Sequence, residues 1–228
     1  MRTLCIDIGG SGIKAIVVDV EGVAQTERGR IETPRPAVPE AVLTVIEDLA
    51  RQQGEFDRVS AGFPGVVVEG VTRTAPNLHP TWADFPLART IEERVRRPAR
   101  VANDAGVQGL GVVEGKGVEV VITLGTGMGF GLYVEGRYVP NIEMAHHPFE
   151  KGKTYEDRVG NAARKKAGNK RWNRRVRDVI GTLGPIFNYR KLYVGGGNAK
   201  HLDRAGLPGN VAIVDNVAGL LGGVRLWG

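Results

Sequence analysis

The 228-residue sequence holds a single cysteine, so it can build neither a disulfide framework nor a cysteine zinc site. Cys5 lies inside the apolar run at residues 4–8, where a thiol packs as a small hydrophobe. No apolar stretch approaches the roughly 20 residues of a membrane-spanning helix. Aromatics make up only 6% of the chain and form no base-stacking motif, so sequence-specific nucleic-acid binding is not expected. There is no G-x-x-x-x-G-K-[ST] loop and no G-x-G-x-x-G opening a helix, which excludes the P-loop and the dinucleotide fingerprint. Glu143 and His146 stand three apart but lack the second histidine of a zincin, which argues against metalloprotease chemistry. Met1-Arg2-Thr3 leads straight into residues 4–8, leaving no room for a secretory leader, and a cytoplasmic protein is the expectation.

What is present reads as globular: 42% hydrophobic and 25% charged residues give enough apolar material for one or two cores. Glycine is abundant, 33 residues without a collagen-like period, as expected where turns bring backbone close to a ligand. The formal net charge of +6 favours an anionic partner without identifying it.

The patterns predict strand, glycine turn and strand over residues 4–20, with a third strand after Glu21-Gly22. Val42, Val45, Ile46 and Leu49 predict a helix over 39–53. A strand over 58–63, a hairpin and loop over 66–85 containing Pro76 and Asn77, a helix over 87–95, a strand over 100–102 and a helix over 105–113 follow. At an offset of 116 residues, Leu124-Gly125-Thr126-Gly127 repeats Ile8-Gly9-Gly10 with its flanking strands. Two copies of that unit predict two similar α/β lobes whose glycine turns face a shared cleft. The expected division is residues 1–103, completed by a C-terminal helix at 216–228, and residues 104–215. Helices over 155–166 and 172–183, and strands over 191–194 and 211–214, complete the second lobe.

Consecutive N–H groups in either glycine turn can face an anion, or the turns can be ordinary tight hairpins. Asp7 precedes the first turn, where a carboxylate would approach a polyphosphate-bound metal; its alternative is an edge-strand aspartate facing water. Asn103-Asp104 sits between a strand and a helix. Either it caps the helix, or Asp104 lies at a strand's C-terminal end, where a general base for an alcohol belongs. Gly195-Gly196-Gly197-Asn198 after a strand either approaches an adenosine or makes a left-handed turn.

Taken together, Asp7-Ile8-Gly9-Gly10-Ser11-Gly12-Ile13-Lys14, Gly62-Phe63-Pro64-Gly65, Asn103-Asp104-Ala105, Leu124-Gly125-Thr126-Gly127-Met128-Gly129, Glu143-Met144-Ala145-His146 and Gly195-Gly196-Gly197 resemble the ROK family of sugar kinases, in its polyphosphate-dependent branch. The resemblance implies two ribonuclease-H-like lobes of the actin/hexokinase type with an active-site cleft between them. It implies Asp104 as catalytic base, with Asn103, Glu143, His146 and Glu156 holding sugar hydroxyls, glucose first among hexoses. It implies Asp7 on Mg²⁺ through water. Gly9, Gly10, Ser11, Gly12, Lys14, Gly125, Thr126, Gly127, Gly196 and Gly197 would hold the phosphoryl donor, ATP or inorganic polyphosphate. A homodimer is also implied, and the family's zinc cluster is absent. Ala145 stands where the family has glycine, and His147 beside it is unusual.

Residues 164–177 hold eight basic side chains and no acidic one. Such a run is either a solvated helix face or an anion track, on which Lys165, Lys166, Lys170, Arg171, Arg174 and Arg175 would hold polyphosphate by backbone-type electrostatics. The competing readings are a non-catalytic, sugar-responsive regulator of the same family, which needs a helix-turn-helix that a first strand at Leu4 does not leave room for, and a nucleic-acid-binding protein using residues 164–177.

Overall fold

The computed structural model describes residues 1–75, 78–214 and 220–228. Pro76, Asn77 and the expected start of the last helix at residue 216 lie outside the described residues. The chain forms two compact units, residues 1–111 with 220–228, and residues 112–214.

In the first unit β1 (Thr3–Ile8), β2 (Ile13–Val18) and β3 (Gly29–Ile31) form an antiparallel meander, followed by α1 (Pro39–Gln53) and β4 (Arg58–Phe63). A small hairpin, β5 (Val67–Val68) with β6 (Val71–Thr72), leads to α2 (Leu87–Val95), β7 (Ala99–Asn103) and α3 (Asp104–Leu110). The sheet order is β3-β2-β1-β4-β7, with β1, β4 and β7 parallel. The second unit holds β8 (Val118–Leu124), β9 (Met128–Val134), β10 (Arg137–Val139), β11 (Pro148–Glu150), β12 (Lys153–Thr154), α4 (Tyr155–Val159), α5 (Asn161–Ala167), α6 (Asn169–Phe187), β13 (Lys191–Gly195) and β14 (Val211–Ile213). Its sheet order, β10-β9-β8-β13-β14, repeats the first with the same senses. The repeat seen in two glycine turns therefore extends to a whole sheet topology, and the fold is α/β of the ribonuclease-H-like, actin/hexokinase type.

Alternation explains which face of each sheet is buried. Ile6, Ile8, Ile13 and Ala15 turn toward α1, whose Val42, Leu43, Ile46 and Leu49 complete a core with the buried Trp82. The second core gathers Val120, Ile122, Leu124, Trp172, Val176 and Ile180. Both core tryptophans satisfy the indole N–H on a backbone carbonyl, Trp82 on Ala37 and Trp172 on Val159, which is what lets so large a ring be fully buried.

Several boundaries differ from expectation. The helix expected over 155–166 breaks at Gly160, whose ψ of 168° is extended; a Cβ there would lie 3.0 Å from the Thr126 carbonyl, so the chain passes the second glycine turn as bare backbone. Helix α6 starts earlier and runs later than 172–183, carrying Pro185 in its last turn. Helix α3 stays with the first unit, and the break lies at Gly111 instead of after residue 103. Gly222 explains why: a Cβ on it would lie 2.3 Å from Gly111 N and 2.6 Å from the Val107 carbonyl. The C-terminal stretch Gly222–Trp227 is 3₁₀ and not α-helical. Its Gly223 packs against Cys5 and Ser60, and burial pushes the Cys5 thiol up to about 12.

Candidate active site

The first glycine turn joins β1 to β2 between the paired Ile8 and Ile13. Gly9 N–H donates to the Gly12 carbonyl at 3.2 Å, and Thr33 Oγ1 donates to the Gly9 carbonyl, which fixes the turn from a third segment. Gly10 and Ser11 form its exposed tip. Asp7 does not lie on an edge strand: β1 is central, the carboxylate is 17% exposed, and Lys14 Nζ lies 2.8 Å away. Lys14, expected on the donor, is thus committed to Asp7 in this state.

At the C-terminal end of β7, Asn103 caps α3, its Oδ1 accepting from Ala105 N at 3.0 Å and Gly106 N at 3.2 Å. The capping alternative is therefore the observed one for Asn103. Its Nδ2 donates to the Gly65 carbonyl at 3.2 Å, and an amide carries a second N–H beyond that bond. Asp104 is the first residue of α3, accepting from Ala105 N at 2.7 Å. A carboxylate in a first helical turn is favoured by the orphan N–H groups there. Within Gly62-Phe63-Pro64-Gly65, Gly62 makes room for Asp104, and Gly65 makes room for Thr74 while its carbonyl accepts from Asn103. A Cβ on Gly62 would lie 3.2 Å from Asp104 Cα, and one on Gly65 would lie 1.9 Å from the Thr74 carbonyl.

In the second unit the Gly125-Thr126-Gly127 turn is tied on both sides. Gly125 N–H donates to the Gly127 carbonyl at 3.0 Å, and Asn161 N–H lies 3.1 Å from both the Gly125 and Thr126 carbonyls. Asn198 Nδ2 donates to the Gly125 carbonyl at 2.9 Å. Glu156 sits beneath the turn, accepting from Met128 N at 3.1 Å, in the space that a Cβ on Gly127 would need. Gly196 holds a φ of +90° and approaches the end of β8 so closely that a Cβ would lie 2.4 Å from Leu124 N and O. For Gly195-Gly196-Gly197, the left-handed turn is thus seen at Gly196.

The structure brings Glu143, His146 and Glu156 together. Glu143 Oε2 lies 3.7 Å from His146 Nε2 across a 3₁₀ turn, Met144–His146. Burial pushes the Glu143 carboxyl up; His146 opposes this and Glu156 adds to it. Ala145 is buried in the second core, so its methyl packs inward and away from the polar cluster. His147 Nδ1 lies 2.9 Å from the Pro148 carbonyl. Two acids and an imidazole at this spacing offer donors and acceptors to vicinal hydroxyls.

The basic run lies on α5 and α6. Lys165, Lys166, Lys170, Arg171 and Arg174 are exposed, and Arg175 is partly buried. None of these six forms an ion pair among the described residues. Arg164 is held by Asn161 Oδ1 at 3.2 Å and Asn169 Oδ1 at 3.1 Å. Burial, then the neighbouring Arg158 and Arg171, pull the Arg175 guanidinium down. Sequence reasoning passed over Arg158, which pairs with Glu150 while its Nε is buried without a partner among the described residues. It passed over Arg30 as well, which reaches the first glycine turn from a strand outside the glycine motifs. Among the described residues no three His, Cys, Asp or Glu side chains converge as a metal cage, and no helix is long and apolar enough to cross a membrane.

Comparison with known proteins fits this geometry. A family model described as the ROK family matches residues 3–143. A polyphosphate glucokinase of Mycobacterium leprae is 30% identical over 239 residues, 97% of this chain and 73% of that protein. One from Mycobacterium tuberculosis is 32% identical over 234 residues, 95% of this chain and 88% of that protein. Among solved structures, an inorganic polyphosphate/ATP-glucomannokinase from Arthrobacter sp. strain KM has a TM-score of 0.88 at 29% identity, covering 99% of this chain and 97% of that one. A ROK family glucokinase from Streptomyces griseus, solved with glucose and AMPPNP, shares the fold at a TM-score of 0.82 and 21% identity, each chain 99% covered.

Proposed function

The chain belongs to the ROK family and is a phosphotransferase with an alcohol acceptor, and on that premise we propose that it moves a phosphoryl group from inorganic polyphosphate or ATP to the 6-hydroxyl of glucose or a related hexose. The observation that carries this reading is the corner at Asp104: a carboxylate at the end of a parallel strand, given room by glycine at 62. Asp104 takes the proton of the 6-hydroxyl as that oxygen attacks the donor's terminal phosphorus. The bond from that phosphorus to its bridging oxygen breaks, and the donor leaves one phosphate shorter. Positioning and charge neutralisation carry most of the acceleration in such transfers.

Asn103, through its remaining amide N–H, with Glu143, His146 and Glu156, orients the sugar hydroxyls. The two glycine turns, with Gly196 and Gly197, present backbone N–H groups to donor phosphates. Polyphosphate is favoured because the basic run starts at the donor turn: α5 opens with Asn161 bonded to Gly125 and Thr126, and the uncompensated cations of α5 and α6 follow it in sequence. Asp7 is a lone carboxylate already paired with Lys14, a donor set that fits Mg²⁺ arriving with the donor phosphates and keeping most of its waters. Asp7 would hold that ion through water, and when bound it supplies charge neutralisation at the phosphoryl oxygens.

Parallel assays with long-chain polyphosphate and ATP, both with Mg²⁺, over a panel of hexoses test the reading. Turnover of glucose with polyphosphate is expected, and Asp104→Asn should lower kcat about 10²–10⁴-fold with sugar binding retained. Sugar binding without turnover from any donor overturns the kinase reading in favour of a sugar-responsive regulator, and an active Asp104→Asn removes the proposed base.

A further inference from the structure

Asp7, Lys14 and Arg30 are direct register partners across β1, β2 and β3, so the three side chains stand in one row on one face of the sheet. That face is opposite α1, because the neighbouring Gly29 is the residue packed against Leu49 and Gln53 of α1. The row holds one carboxylate and two cations. Asp7 is taken by Lys14 at 2.8 Å, and among the described residues Arg30 forms no ion pair.

The Arg30 guanidinium lies directly over the first glycine turn. A Cβ built on Gly12 would sit 2.7 Å from Arg30 Nε, 3.0 Å from Nη2 and 3.2 Å from Cζ. The bare Gly12 backbone lets the arginine lie against the turn, and its φ is outside the left-handed region. Among the described residues the one hydrogen bond the guanidinium makes is long, Nη2 to the Ser11 carbonyl at 3.4 Å. A guanidinium carries five N–H donors, and that bond uses one of them. A second cation set beside Lys14 is electrostatically unfavourable unless an anion joins it, and a planar fork matches phosphate oxygens two at a time.

Resting on the reading of this turn as a donor cradle, we propose that Arg30 is a donor-binding residue whose guanidinium grips a donor phosphate seated at Ser11-Gly12, with Gly12 kept bare to let it lie there. The class of ligand is an oligophosphate, the inorganic chain or the phosphate tail of a nucleotide alike.

The test is calorimetric binding of inorganic tripolyphosphate and of ATP to the full chain, alongside glucose binding and steady-state kinetics. Arg30→Gln should weaken tripolyphosphate and ATP binding about tenfold and raise the donor KM to match, with the glucose Kd unchanged. Arg30→Lys, which keeps the charge and loses the fork, should recover part of the loss. Gly12→Ala, which keeps the arginine but displaces it from the turn, should reproduce the Arg30→Gln defect, and the double variant should bind no worse than either alone. Arg30→Gln binding tripolyphosphate as tightly as the wild type, while the wild type turns over, overturns the role of Arg30 and leaves the kinase reading standing. A wild type that binds and uses no oligophosphate overturns both.

Discussion

The two glycine turns are copies in sequence and in topology, yet their glycines are required for different reasons. In the first unit Gly12 makes way for the Arg30 guanidinium, and the row beside the turn carries one carboxylate against two cations. In the second unit Gly127 makes way for a carboxylate, Glu156, and the turn is laced by Asn161 and Asn198. One turn has a guanidinium packed on it and is held by Thr33; the other has a carboxylate packed on it and is held by Asn161 and Asn198. A repeated motif thus fixes the backbone geometry twice, while the partner side chain, arriving from elsewhere in the chain, decides what each copy does.

The largest effect separating the two turns is expected at Gly127. In Gly127→Ala the new methyl would fall 1.8 Å from Glu156 Oε2 and 2.6 Å from its Cδ, and that carboxylate is held by Met128 N. Overpacking of this kind costs about 1–3 kcal/mol, and moving Glu156 disturbs the cluster with Glu143 and His146. Denaturant melts should show the loss, and the hexose KM should rise together with the donor KM. Gly12→Ala displaces only the end of a flexible side chain, so its melt should stay near wild type. Equal melts for the two variants would erase the distinction between the turns.

How much of this was legible in the sequence follows the range of each interaction. Helices α1 and α2 and strand β4 coincide with the expected bounds, because periodicity and their glycine and proline punctuation are local signals. The break at Gly160 was not legible: the run from Tyr155 onward is a good helical sequence, and the backbone yields only because Thr126 passes beside it. Nor was Asp7's burial, since a single aspartate in a strand does not reveal that two strands flank it. The place of Asn103-Asp104 between a strand and a helix was readable from local sequence, whereas a sugar-binding role for Glu143 and His146 is implied only by the family resemblance. Arg30 and Arg158 were not readable, since only pairing register and tertiary packing bring them to their places.

A smaller, donor-selective effect is expected on the basic face. Lys165, Lys166 and Arg171 are exposed and without ion pairs among the described residues, so changing all three to glutamine removes charge with little cost in packing. With long-chain polyphosphate the KM should rise several-fold and its salt dependence flatten, as for any ligand bound through counterion release. With ATP, whose short phosphate tail does not extend along two helices, the KM should stay within twofold. A parallel rise for both donors would return the run to a solvated helix face, and the charged row at the first turn would then carry donor binding alone.

The smallest effect sharpens the acidic side of the comparison. Burial raises the Glu143 carboxyl above its ordinary value, about 4.3 in an unfolded chain. A carboxyl raised by folding contributes stability while protonated; that contribution is complete below pH 4.3 or so and is lost as pH rises through the higher folded value. At neutral pH the ionised Glu143 therefore weighs against the fold, and it is tolerated because an ionised acceptor is what a sugar hydroxyl binds. Glu143→Gln mimics the neutral form. It should melt at or slightly above the wild type at pH 7, the gap closing as both are taken to pH 4, while the hexose KM rises and the donor KM holds. A variant less stable than wild type at pH 7 would mean that the Glu143 charge serves the fold, and its pairing with His146 at 3.7 Å would then be structural.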